Sequence, residues 1–117
     1  MAYMNQERKK DRAPVIKAIL KRYGQKGSLS VRNYSTLVLK LKDVQGMFTF
    51  NDDYQKRWGI SINPYHYQSH YAESPKVVKM LDELTAAMYG KDYYDHSDAM
   101  TDYFNCSHYI DIDVIPA

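Results

Sequence analysis

Cysteine is all but missing from this chain: Cys106 is the only one in 117 residues. A lone thiol cannot form an internal disulfide, so the simplest expectation is a reducing cytoplasm. Long apolar runs are missing too. Nothing approaches 18 consecutive apolar residues, so no membrane span is expected. The stretch Met1-Ala2-Tyr3-Met4-Asn5-Gln6-Glu7 has no apolar region behind a basic start, so no signal peptide is expected either. Five Gly and four Pro are scattered, with no linker, repeat or low-complexity segment. The phosphate-cradling patterns GxGxxG and GxxxxGK[ST] and the hydrolase elbow GxSxG do not occur. Phenylalanine and tryptophan are scarce, at three and one, against twelve tyrosines. Tyrosine joins a large apolar ring to a polar tip, which suits half-buried and interface positions.

What is present fits one folded domain over residues 1–117. A chain of this length buries about two-thirds of its unfolded surface, and the 44% hydrophobic fraction argues against disorder. The charge changes sign along the chain. Residues 1–60 carry thirteen Lys/Arg against five Asp/Glu, and residues 61–117 carry three Lys against nine Asp/Glu, for a net charge of +2. Asymmetry of this kind speaks of partners rather than of fold.

Periodicity gives the elements. Val15, Ile16, Ile19, Leu20 and Tyr23 share one helical face. Pro14 argues for a regular helix over about 12–23 with Asp11 as N-cap, leaving 5–10 as a separate or frayed turn. Residues 28–32 and 35–42 alternate with period two around Asn33-Tyr34 and read as a hairpin. Met47-Phe48-Thr49-Phe50 is expected at a sheet edge. Asn51 is placed to cap a short helix over 52–58, closed by Gly59, and 60–63 reads as a third strand ended by Pro64. Ser74-Pro75 opens a helix whose stripe is Val77, Met80, Leu81, Leu84, Ala87 and Met88, with Gly90 closing it. Residues 92–97 read as a loop and 98–104 as a short helix capped by Ser97. Tyr109 to Ile115 is a half-buried strand. The fold class is α+β: an antiparallel-rich sheet of about four strands with two main helices packed on one face.

Four groups of side chains carry possible chemistry. His66, His70, Cys106 and His108 are zinc-ligand types, but CxxC and HExxH spacings are missing. The segment 64–71 alternates more than it repeats helically, and in a strand His66 and His70 would lie about 13 Å apart. No metal or cofactor is therefore assigned. Asp111 and Asp113 share one face of the last strand about 7 Å apart, and Asp98 and Asp102 share a helical face. Close carboxylates can hold Mg²⁺, which keeps a metal-dependent nuclease as a distant alternative. Arg32, Lys40 and Lys42, with Lys9, Lys10, Arg12 and Lys17 nearby in sequence and Tyr34, Tyr54 and Trp58 to stack on bases, form the nucleic-acid candidate. Asp98, Asp102, Tyr103, Tyr109, Asp111 and Asp113 form the protein-binding candidate, with aromatic anchors and steering charges for a basic groove on a partner.

Three segments resemble a small domain of phages, prophages and conjugative elements in the group of large polyvalent protein-associated domains. They are Ala13-Pro14-Val15-Ile16-Lys17-Ala18-Ile19-Leu20-Lys21-Arg22-Tyr23-Gly24, then Gly27-Ser28-Leu29-Ser30-Val31-Arg32-Asn33-Tyr34-Ser35-Thr36-Leu37-Val38. The third is His96-Ser97-Asp98-Ala99-Met100-Thr101-Asp102-Tyr103-Phe104, leading into Tyr109-Ile110-Asp111-Ile112-Asp113-Val114. The resemblance implies a stand-alone α+β domain of a mobile element in a bacterial cytoplasm, with no defined catalytic residues. The expectation is a non-enzymatic protein that engages a bacterial host protein or nucleoprotein complex, with inhibition of a host defence system as one outcome. No oligomeric state follows from the sequence.

Overall fold

Asn5 starts the first helix, α1 (Gln6–Arg22), by accepting the Arg8 N–H on Oδ1 at 2.8 Å, as a preferred N-cap residue does. The computed structural model describes residues 4–64, 66–90 and 108–116. The sequence placed the start of α1 some six residues later because of Pro14. The helix instead runs through Pro14. Contacts on both sides of it offset the missing backbone bond. Met4 and Arg12 are buried before it, and Ile16, Ile19 and Leu20 after it.

Strands β1 (Lys26–Arg32) and β2 (Thr36–Asp43) form the hairpin, antiparallel and unbroken from Lys26↔Lys42 to Arg32↔Thr36. Buried Asp43 then shapes the following loop. Its Oδ1 accepts from Gln25 Nε2 at 2.8 Å and Met47 N at 2.9 Å, and its Oδ2 from Phe48 N at 2.9 Å. The apolar segment 47–50, expected at a sheet edge, is a loop. It inserts Phe48 into the core, edge-on to Tyr71 with ring centroids 5.6 Å apart.

Asp52, one residue after the expected Asn51, caps α2 (Asp53–Trp58) by accepting the Gln55 N–H at 2.8 Å. Gly59, at φ 88°, turns the chain into β3 (Ile60–Ile62). Only glycine fits here, because a Cβ would lie 2.2 Å from the Val114 carbonyl oxygen. Segment 64–71, read as extended, contains a single helical turn, α3 (Tyr67–His70). The Asn63 carbonyl accepts the His66 and Tyr67 N–H groups, and buried Tyr67 hydrogen-bonds Asp82. Burial of that one ring overrides the local alternation.

Helix α4 (Pro75–Tyr89) follows the predicted stripe, burying Val77, Met80, Leu81, Leu84 and Met88. Its C-terminal carbonyls are capped from α1: Arg12 Nε donates to Met88 O at 3.0 Å and Nη2 to Tyr89 O at 2.8 Å. A cation at this end also complements the helix dipole. The expected loop 92–97 and helix 98–104 lie outside the described residues. The last strand, β4 (Tyr109–Pro116), alternates as expected.

The sheet order is β1-β2-β4-β3. The β1–β2 and β3–β4 pairs are antiparallel, but β2 and β4 run parallel. The sheet is therefore antiparallel-rich, as expected, with one parallel pair that makes it mixed. The cause is the connection: α2, β3, α3 and α4 intervene between β2 and β4, and β4 enters between β2 and β3. Leu37, Leu39 and Leu41 of β2 and Ile110, Ile112 and Val114 of β4 face α1 and α4 across one core. The fold is α+β with both long helices on one face. Loss of a core side chain such as Leu84 to alanine costs about 2–5 kcal/mol.

Candidate functional site

The alternation that sends leucines inward fixes what lies on the other face of the sheet. Register aligns the outward residues in rows. Arg32, Thr36 and Tyr109 form the first row, and Ser30, Val38 and Asp111 the second. Ser28, Lys40, Asp113 and Ser61 form the third, and Lys26, Lys42 and Ile115 the last. The buried side chains of α1, α3 and α4 lie mainly in the core, and α2 buries none. Lys26, Ser28, Ser30, Arg32, Lys40, Lys42, Ser61 and Tyr109 of these rows are exposed, whereas Thr36 and Val38 are buried.

Here the basic and acidic halves of the chain meet. Arg32 Nη2 lies 2.6 Å from Asp111 Oδ2. Asp113 Oδ1 accepts from Ser61 Oγ at 2.8 Å and stands opposite Lys40 in the register. The two sets singled out in the sequence as alternative sites, Arg32, Lys40 and Lys42 against Tyr109, Asp111 and Asp113, thus occupy one surface. Asp98, Asp102 and Tyr103 lie outside the described residues.

A groove of about 550 Å³ opens at one end of this face, lined by Arg32, Thr36, Ser61, Asn63, Tyr109 and Asp111 among others. The hairpin turn lies beside it. Asn33 and Tyr34 both take left-handed backbone angles, φ 55° and 53°. Asparagine tolerates this, but for a bulky residue it is a strained outlier. The strained residue is also the most open aromatic among the described residues, with Tyr34 73% exposed. Its backbone is held by Met4, whose N–H donates to Tyr34 O at 2.7 Å, while Tyr109 N–H donates to Ser35 O at 2.8 Å. Strain kept at a solvent-facing tip is a pointer toward recognition rather than packing.

The other candidates separate. Tyr54 and Trp58 lie one turn apart on α2, where the Arg57 guanidinium stacks 5.2 Å above the Trp58 ring. Tyr54 lines a different depression, of about 560 Å³, with His70 and Tyr71. His66 and His70 are neighbours, with ring centroids 6.4 Å apart. His108 is buried elsewhere, with Nε2 2.9 Å from Met88 O, and Cys106 lies outside the described residues. Among the described residues no three His, Cys, Asp or Glu side chains gather to hold a metal. Asp111 and Asp113 each have their own partner, one a cation and one a hydroxyl. Among the described residues no helix is long and apolar enough to cross a membrane.

Three tyrosines have perturbed acidity. Burial, then the hydrogen bond to Asp82, raises Tyr67 above the ordinary phenol value, and burial alone raises Tyr71. The hydrogen bond to Glu83 is the main cause of the rise at Tyr23. Tyr23 and Tyr67 hydrogen-bond carboxylates of α4, Tyr71 packs on Phe48, and none of the three lines the groove.

Sequence reasoning missed Thr36, Ser61 and Asn63. The only signal for Ser61 was its place between two isoleucines in a short strand. Its position beside Asp113 depends on β4 pairing with β3, which no local pattern encodes. No family model, no curated protein and no solved structure matches this chain.

Proposed function

We propose that this chain is a non-enzymatic binding protein of a phage or other mobile element, engaging a bacterial host protein or nucleoprotein complex through the outer face of its sheet. Blocking a host defence system is one outcome of such binding. The mobile-element setting rests on the three resembling segments. The surface rests on one observation: the outer face interleaves Arg32, Lys40 and Lys42 with Asp111 and Asp113, beside the exposed rings of Tyr34 and Tyr109.

A face of mixed sign suits a protein better than a polyanion. Phosphate backbones reward uniform positive charge, whereas Asp111 already offsets Arg32 and Asp113 stands against Lys40. Protein interfaces instead use aromatic and arginine anchors inside a polar, charge-matched rim. Replacing Asp111 and Asp113 with Asn, and Tyr109 with Ala, should abolish capture of the partner without unfolding the domain. Undiminished capture would remove the reading.

Nucleic-acid binding by the basic half remains the alternative. It is favoured by Lys26 and Lys42, which sit opposite each other in the register with Ile115, not an acid, as the next neighbour. It requires affinity that falls steeply with salt and drops when Arg32, Lys40 and Lys42 are replaced.

A further inference from the structure

The two edges of the sheet are built differently. The β3 edge is three residues long and runs into Asn63-Pro64. A very short strand and a proline are standard protection against pairing with another chain. The β1 edge has neither. It runs seven residues, Lys26 to Arg32, without proline, and pairs with β2 in unbroken register. Alternate residues of an edge strand turn their N–H and C=O groups away from the sheet. Among the described residues β1 pairs with β2 alone. Lys26, Gly27, Ser28, Ser30 and Arg32 are exposed, and Leu29 and Val31 are only half-covered.

Charge decides which strand this edge would accept. Lys26 stands directly opposite Lys42, and the next residue in that row is Ile115. Like charges directly across a strand pair repel, and no ion pair among the described residues relieves these two. Arg32 ends the same face of β1. A second copy would suit the edge poorly, because antiparallel self-pairing centred on Leu29 sets Lys26 against Arg32 at both ends. An acidic strand would relieve the Lys26–Lys42 pair and share the exposed Arg32 guanidinium with Asp111.

From this we infer that the β1 edge takes up an extended segment of the partner as a fifth strand. The segment carries Asp or Glu opposite Lys26 and again six residues away opposite Arg32, with apolar residues on the side of Leu29 and Val31. Main-chain bonds would supply affinity and the alternate side chains selectivity. The inference rests on the reading of this chain as a binding protein and adds how the partner's backbone docks.

The test uses the full chain and three capped seven-residue peptides, followed by backbone amide shifts and hydrogen exchange. The first is Glu-Val-Thr-Val-Thr-Val-Glu, the second has Lys at both ends, and the third copies β1 itself, Lys-Gly-Ser-Leu-Ser-Val-Arg. The Glu peptide should shift and protect amides between Gly27 and Val31, and bind at least tenfold tighter than the Lys peptide. Lys26→Glu should erase that preference, and Lys26→Glu with Arg32→Glu should reverse it. No change in β1, equal binding of the Glu and Lys peptides, or tightest binding of the β1 copy would overturn the inference. The Asp113→Asn and Tyr109→Ala changes, which leave Arg32 its Asp111 partner, should leave peptide binding intact. Failure at the edge is thereby separable from failure of the outer face.

Discussion

Arg32 and Asp111 lie 79 positions apart in the chain, and their side chains meet at 2.6 Å on the open face of the sheet. One belongs to the basic half and the other to the acidic half. Arg22 and Glu83 form the same kind of pair between α1 and α4. The charge asymmetry of the sequence is thus partly closed by folding, and what reaches the surface is a mixed pattern.

Under the proposed function this pair serves recognition more than stability. Its side chains are 54% and 27% exposed, and exposed pairs contribute about 1 kcal/mol or less. Asp111→Asn should therefore change urea-unfolding stability by no more than about 1 kcal/mol, while weakening partner capture.

Tyr34→Gly separates strain from function. Relief of the left-handed backbone, worth about 1–2 kcal/mol, is offset by the greater freedom of glycine in the unfolded chain, about 0.5–1 kcal/mol. Stability should hold or rise slightly in a denaturant titration, and partner capture should fall with the loss of the ring.

Arg12 and Asp43 are buried polar residues of structural kind. Arg12→Ala leaves the Met88 and Tyr89 carbonyls without their guanidinium partner, and Asp43→Ala strands two backbone N–H groups and Gln25. Each should cost about 2–4 kcal/mol, since unsatisfied buried groups and lost charge-assisted bonds carry their full penalty. Arg12→Lys should recover only part, because a single ammonium cannot reproduce the fork. Thermal or urea unfolding measures both.

Alkaline titration reads Tyr67, Tyr71 and Tyr23. Their folded pKa values lie above the unfolded value of 10.0, so the neutral phenol is the form favoured in the fold. The stability this contributes is complete below pH 10 and is lost as pH rises through the higher folded values. Phenolate absorbance should show a late-titrating group of tyrosines coincident with alkaline unfolding. In Tyr67→Phe and Tyr71→Phe the late fraction should shrink.

Much of the helical layer and of each strand was legible because local patterns carry it. The stripe of α4 and the alternation of Leu37, Leu39 and Leu41 state their faces outright. Three things were not legible. The helix through Pro14 depends on Arg12 reaching α4, which lies 76 residues away. The turn at Tyr67 depends on Asp82. The parallel β2–β4 pair depends on where a long connection returns. The candidate site fell between these cases. Arg32, Lys40, Asp111 and Asp113 were legible as outward residues, but only the register showed that they share one face.

The central claim is that the outer sheet face binds a host protein. Its most direct test is a tagged pull-down from bacterial lysate, with and without nuclease, comparing the native chain with the Tyr109→Ala, Asp111→Asn and Asp113→Asn variant. The prediction is one dominant protein that survives nuclease treatment with the native chain and is lost with the variant. Capture that disappears with nuclease, or that the variant retains in full, would contradict it.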